Sequence, residues 1–206
     1  MSDFYSNFHL VLRWLHVIAG ITWIGHLYFF NFVNVPLQGA LDDATKKAVN
    51  PQLMPRALWW FRWGAMVTFL AGLGLFVLTY LYTPGVGFGP TSLLRDADGL
   101  TGRGAWILFG MLLGFIMWVN VWMIIWPTQK KLLTGKVPQA EIPAARKKAL
   151  LVSRINTYLS GPMLFGMLAP AHYGAMNGCA ITTAIVLGVV VIWFSIRSSA
   201  AVGKLT

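Results

Sequence analysis

Long apolar runs separated by short polar stretches dominate the hydrophobic pattern of this chain. Five of the runs approach the roughly 20 residues that a helix needs to cross the hydrocarbon core of a bilayer. The pattern therefore predicts an all-α integral membrane protein, with a bundle of about five transmembrane helices in a single domain over residues 1–206. The predicted spans are about 8–35, 58–82, 105–126, 155–173 and 180–196, and a proline follows each of the first three closely.

The composition agrees with a membrane protein. Hydrophobic residues make up 57% of the chain and charged residues only 11%, whereas a soluble domain carries roughly 25% charged residues. The net charge is +10, but the basic residues lie mainly between the apolar runs, where they contact lipid headgroups and set orientation. We therefore expect a lipid bilayer as partner and no nucleic acid. The single cysteine, Cys179, excludes an internal disulfide and a CxxC redox pair.

The distribution of Lys and Arg predicts the orientation. Seven of them fall within 127–154, whereas 83–104 holds two, each beside an acidic residue or close to one. Because basic loops stay on the cytoplasmic side, the N-terminus is expected outside and the C-terminus in the cytoplasm. The basic stretch 127–154 is then a cytoplasmic, interfacial segment near anionic headgroups.

The acidic residues restrict the chemistry that the membrane interior can perform. All six lie outside the predicted spans. Proton pumps and cation-coupled carriers usually keep an ionisable group within a span, so transport is disfavoured. Carboxylate bases and carboxylate metal sites are disfavoured there for the same reason, which leaves the histidines as candidates.

Two histidines on different predicted spans have the placement that a b-type haem requires. His16 on the first span and His172 at the end of the fourth fall on the same side of the membrane, so their imidazoles are candidate axial ligands to haem iron. Gly20, one turn from His16, would leave room for a flat macrocycle, and Trp23 would line the pocket. His26 lies about 80° round the helix from His16, so one ion cannot easily bind both, and His26 is a candidate for a second haem. The alternative for each histidine is a hydrogen-bonded packing group without a cofactor.

Four stretches of the chain resemble a known family. They are RWLHVIAGITWIGHLYFFNFVNVP at 13–36, MPRALWWFRWGA at 54–65, NVWMIIWPTQKKL at 120–132 and SRINTYLSGPMLFGMLAPAHY at 153–173. Together they are similar to the membrane-embedded N-terminal domain of the cytochrome-c-containing bacterial urate oxidases. The first stretch also resembles the opening helix of the membrane protoporphyrinogen oxidases that carry b-type haem.

The resemblance implies a multi-pass protein of the bacterial inner membrane that works with a c-type cytochrome. This sequence has no CxxCH attachment motif, so we expect a stand-alone membrane domain beside a separate electron acceptor or another membrane protein. Three functions stay open: a haem b protein that transfers electrons, a cofactor-free accessory subunit of a larger membrane complex, and a urate-oxidising enzyme. For the last, the polar groups available in the matching stretches are Arg13, Arg62, Arg154 and Asn156. The alternative is that these side chains reach toward water or cap helix ends.

Overall fold

The computed structural model describes residues 2–202, with side chains from residue 4 onward, and its architecture is helical. The α-helices are α1 (Ser2–Tyr28), α2 (Val35–Ala40), α3 (Asp43–Tyr80), α4 (Gly102–Val119), α5 (Trp126–Leu133), α6 (Ile142–Leu168) and α7 (Gly178–Val202). Two π-helical turns, Phe29–Asn34 and Asn120–Ile125, join α1 to α2 and α4 to α5, and 3-10 turns occupy Gln139–Glu141 and Ala169–Ala171. Two antiparallel hairpins lie between α3 and α4, one of β1 (Tyr82–Thr83) with β2 (Gly87–Phe88), the other of β3 (Arg95–Asp96) with β4 (Gly99–Leu100).

Five long helical segments confirm the predicted all-α membrane architecture. Four of them are long and apolar enough to cross a bilayer, namely Phe4–Ala40, Asp43–Tyr80, Gly102–Leu133 and Gly178–Val202. The predicted fourth span, 155–173, covers the second half of α6 and runs past its end at Leu168 into the 3-10 turn. Helix α6 has 27 residues but is less apolar. Basic residues occupy its first half, and Asn156, Thr157 and Ser160 are buried in its middle.

The helices extend beyond the predicted spans, mostly into polar sequence. Helix α3 begins at Asp43 and contains Pro51 and Pro55 in its first half, so it starts 15 residues before the predicted 58–82. The basic stretch 127–154 divides among α5, the turn Gln139–Glu141 and the start of α6. Residues 142–154 are therefore continuous with the fourth predicted span and do not form a separate helix.

Both π-helical turns stand directly before a proline-containing helix. Pro36 and Pro127 are each the second residue of the helix that follows, α2 and α5. A proline lacks the backbone N–H and crowds the carbonyl of the preceding turn, and the wider i→i+5 turn accommodates this. The helices therefore continue past Pro36 and Pro127, whereas the sequence pattern placed their ends there.

Helix α1 and the second half of α3 form an antiparallel pair. His9 Nε2 lies 2.9 Å from Thr79 Oγ1 near one end. Further along, the backbone of Trp23 comes so close to Gly64 that a Cβ at Gly64 would lie 3.0 Å from the Trp23 nitrogen. At the far end of the pair, Phe30 meets Phe61 edge to face.

Helix α6 packs between α4 and α7, through glycines on both sides. A Cβ at Gly110 of α4 would lie 2.9 Å from the backbone of Gly166, and one at Gly161 would lie 2.6 Å from the carbonyl oxygen of Gly188 on α7. Small residues let helix backbones approach closely in membrane proteins. We call the end of the bundle that holds residues 81–101 and 169–177 the hairpin end, and the end that holds residues 134–141 the basic end.

The buried core is unevenly divided along the bundle. Its larger cluster joins α1, α3, α4 and α6 around Leu27, Phe61 and Met117. A smaller cluster at the hairpin end joins α4, α7 and the end of α6 with the 3-10 turn and loop that follow it, around Trp106. The buried clusters therefore connect the α1–α3 pair to the other helices in the middle of the bundle and toward its basic end.

Candidate functional site

His16 occupies the interface between α1 and α3. Its Nδ1 lies 2.8 Å from the carbonyl oxygen of Thr68, and the side chain is half-buried. A carbonyl oxygen can only accept a hydrogen bond, so Nδ1 carries the proton. In the neutral ring the lone pair is then on Nε2. This arrangement, with Nδ1–H held by a backbone carbonyl, is the one that orients histidine ligands in metal proteins.

Gly72 makes the space in which the His16 ring lies. A Cβ built at Gly72 would stand 2.9 Å from His16 Cε1 and 3.1 Å from Nδ1. A Cβ built at Gly20, the residue that the sequence indicated as room for a flat macrocycle, would lie 3.8 Å from the Thr68 methyl group. The space beside the imidazole is therefore provided by α3.

His172 follows the 3-10 turn at the end of α6, and its side chain is exposed. Tyr28 Oη and Ser160 Oγ are 2.9 Å apart, and Asn31 donates to Ser153, so α1 and α6 run antiparallel. His16 lies twelve residues before Tyr28 and His172 twelve after Ser160, so both lie on the hairpin-end side of the Tyr28–Ser160 contact. Among residues 4–202, no hydrogen bond joins the two histidines.

The other predicted pocket residues lie elsewhere on α1. His26 Nδ1 donates within its own helix, to the carbonyl oxygen of Thr22 at 2.7 Å. Trp23 is 3% exposed and belongs to the larger core cluster, where its indole Nε1 is enclosed without a hydrogen-bond partner. Trp23 is seven residues from His16, about 10 Å along the helix, and His26 is further still.

The polar groups considered for an anionic purine do not meet at one place. Arg13 is exposed on α1. Arg62 stacks on tryptophans of its own helix, of the second π turn and of α5, with its guanidinium carbon 3.8 Å from the Trp126 ring centre. Asn156 is fully buried and satisfied, because it donates to the Met117 carbonyl and accepts from Asn120. Arg154 Nη1 is enclosed without a partner.

Sequence reasoning missed Thr68 and Gly72. Both are ordinary residues of an apolar helix, and they reach His16 only because α1 and α3 pair in one register. The spacing Gly72-x-Gly74 was the available signal, since Gly74 similarly faces Leu12 one turn from His16. Among the described residues, no three His, Cys, Asp or Glu side chains cluster as a metal site.

The fold places the chain among the all-helical, multi-pass membrane proteins. The model of the urate oxidase N-terminal family matches residues 2–48, 38–88 and 91–202. The chain therefore belongs to the urate oxidase N-terminal family, as the resemblance indicated. No curated protein and no solved structure is similar enough to the chain to match it.

Proposed function

We propose that this protein is a membrane-bound b-type haem protein that transfers electrons, with His16 as one axial ligand. The observation that carries the proposal is the bond from His16 Nδ1 to the Thr68 carbonyl. It fixes the tautomer that leaves Nε2 free to bind iron, and it holds the ring against rotation. If His16 served only as a packing group, its free Nε2 would be an unpaired polar atom in an apolar interface, which costs free energy.

His172 is the proposed second ligand. It lies on the same side of the Tyr28–Ser160 contact as His16, and within residues 4–202 its ring makes no hydrogen bond that a ligand role would have to break. A haem supplies a reversible one-electron couple, and this chain would supply two neutral imidazoles and an apolar surrounding that tunes the potential. His26 is the proposed candidate for a second site.

The proposed setting is the bacterial inner membrane, with the N-terminus outside. It is supported by the family and by the basic residues of 127–154. In this orientation the hairpin end, and with it His16, faces the outside. The partner would be a c-type cytochrome or another membrane protein reached from that side.

The test is a reduced-minus-oxidised visible spectrum of the purified chain in mild detergent, with a pyridine haemochrome assay. We expect a b-type α-band at about one haem per chain. His16→Ala and His172→Ala should abolish it, whereas His26→Ala should retain it. Absence of haem after gentle purification would contradict the proposal and favour a cofactor-free accessory subunit.

Urate oxidation is the second candidate, and the family match favours it. In this reaction the electrons removed from urate would pass to a separate acceptor protein. Consumption of uric acid by the purified chain with an added c-type cytochrome would support the enzyme. Reduction of the haem by a general electron donor, without consumption of uric acid, would support electron transfer and not urate oxidation.

A further inference from the structure

Arg62 lies in an aromatic cage near the basic end of the bundle. Its guanidinium carbon is 3.8 Å from the ring centre of Trp126, 5.4 Å from Trp122 and 5.6 Å from Trp63. Arg stacks on aromatic faces more readily than Lys because its guanidinium is planar and weakly hydrated. The three rings therefore hold the Arg62 guanidinium in one position.

The cage has donors and no acceptor. Arg62 Nε and Trp122 Nε1 are both enclosed without a hydrogen-bond partner. The terminal nitrogens of Arg62 also have no partner among residues 4–202, and they are not enclosed. Among the described residues, no carboxylate lies within ion-pair distance of Arg62. The ion pair that these residues form joins Lys46 to Asp43. An oxyanion from outside the chain is the partner that this arrangement lacks.

An open aromatic groove adjoins the cage. It has a volume of about 390 Å³ and is lined by Pro55, Arg56, Trp59 and Trp60. The Trp59 ring is 6.4 Å from that of Trp63, which in turn contacts Arg62. Trp59, Trp60 and Trp63 are all exposed, as tryptophans are at the level of lipid headgroups.

We propose that Arg62 and its tryptophan cage bind the phosphate of an anionic phospholipid, whose glycerol and upper acyl region lies in the groove beside Trp59. The phosphate oxygens accept from the terminal nitrogens of Arg62. The site is separate from the candidate haem ligand, because the pairing of α1 with α3 places Arg62 near the level of His26, about 15 Å along the bundle from His16. A variant that loses the lipid site could therefore still bind haem, and a variant that loses haem could still bind the lipid.

The experiment is native mass spectrometry of the full chain in mild detergent with added phosphatidylglycerol, and in parallel with diacylglycerol of the same acyl chains. We expect retention of phosphatidylglycerol over diacylglycerol. Arg62→Gln should weaken it by about tenfold, the value of one charge-assisted hydrogen bond. The matched control is Arg146→Gln, which removes the same charge from an exposed position at the start of α6 and should change retention little.

Three results would overturn the proposal. Equal retention by wild type and Arg62→Gln would mean that Arg62 only extends toward water. Equal retention of diacylglycerol would mean that the groove binds acyl chains without reading the phosphate. Displacement of the lipid by millimolar inorganic phosphate would mean that the site takes a free oxyanion. If Arg62→Gln fails to fold by circular dichroism, Trp126→Leu keeps the cation, removes its nearest ring and should still reduce retention.

Discussion

The Nδ1 atom of His16 lies 2.8 Å from the carbonyl oxygen of Thr68, a residue 52 positions further along the chain. The bond crosses from α1 to α3 and cannot be removed by changing the Thr68 side chain, since it uses the backbone. What can be changed is the space beside the ring, which Gly72 provides.

Gly72→Ala should therefore displace the His16 imidazole. The added Cβ would lie 2.9 Å from Cε1, too close to be tolerated without a shift of the ring. We expect a weaker Nδ1 bond, visible in the ¹⁵N shifts of the imidazole, and a lower haem content if His16 binds haem. For the ¹⁵N shifts Gly20→Ala is the control, because its Cβ would make an ordinary contact with Thr68 at 3.8 Å. An unchanged ¹⁵N spectrum in Gly72→Ala would contradict this account.

Asn156 should contribute to stability through its two interhelical bonds. It is fully buried, donates to the Met117 carbonyl at 2.9 Å and accepts from Asn120 at 2.8 Å. Asn156→Leu should lower the free energy of unfolding by about 1–2 kcal/mol. A double-mutant cycle with Asn120→Ala isolates the side-chain pair, for which we expect a coupling of about 0.6 kcal/mol. A coupling of zero would show that the Asn120 bond adds nothing to stability.

The spans could be predicted from the sequence because apolar length alone determines which segments can cross a bilayer. The ends of the helices could not. Helix α3 begins in the polar stretch at Asp43 and passes Pro51 and Pro55. The first helical segment continues past Pro36, because a π turn joins α1 to α2. Neither feature has a signal in hydrophobicity, since both depend on the neighbouring helix that supports the backbone.

The candidate site was predictable in part. Histidines stand out in an apolar chain, so His16 could be identified from the sequence, but Gly72 could not, because its role depends on the register of α1 against α3. Arg62 was interpreted as a side chain reaching toward water, since the rings of Trp122 and Trp126 belong to a segment some 60 residues away. Interactions within one helix can be inferred from spacing, whereas contacts between helices require the fold.

Gly110 and Gly114 form a GxxxG motif whose two members should differ in their tolerance to substitution. A Cβ at Gly110 would lie 2.9 Å from the backbone of Gly166, whereas one at Gly114 would lie 3.7 Å from the flexible end of Met167. Gly110→Ala should therefore cost about 1–3 kcal/mol by forcing α4 away from α6, and Gly114→Ala should be close to neutral. Thermal unfolding in detergent measures both. Similar losses for the two variants would mean that α4 and α6 pack in a different register.

The orientation can be tested with alkaline phosphatase fusions, since this enzyme is active only outside the cytoplasm. Basic residues concentrate in 127–154 and are few in 83–104, so a fusion after Gly89 should be active and a fusion at the C-terminus inactive. A fluorescent protein that folds only in the cytoplasm, fused at the same two positions, provides the reverse control. Phosphatase activity at the C-terminus would reverse the orientation and place His16 on the cytoplasmic side.

Asp42 should stabilise the start of α3 in a pH-dependent way. Its carboxylate accepts from the Thr45 hydroxyl at 2.7 Å and from the Thr45 amide at 2.9 Å. The hydroxyl bond first, and then the amide bond, hold the pKa of Asp42 below its usual range. Because the folded-state pKa is lowered, the stabilisation is present above the ordinary value of about 3.9 and is lost as the pH falls through the folded-state pKa.

Asp42→Ala should therefore increase amide hydrogen exchange in the first turn of α3 at neutral pH, and the difference from wild type should shrink as the pH is lowered below about 4. Asp42→Asn keeps a good N-cap that does not titrate, so its protection should change little over the same range once intrinsic exchange rates are corrected. Asp43→Asn is the charge control, because the Asp43–Lys46 ion pair at 3.6 Å involves an exposed carboxylate and such pairs contribute little. A difference between Asp42→Ala and wild type that persists undiminished at low pH would mean that the cap does not depend on the charge of Asp42.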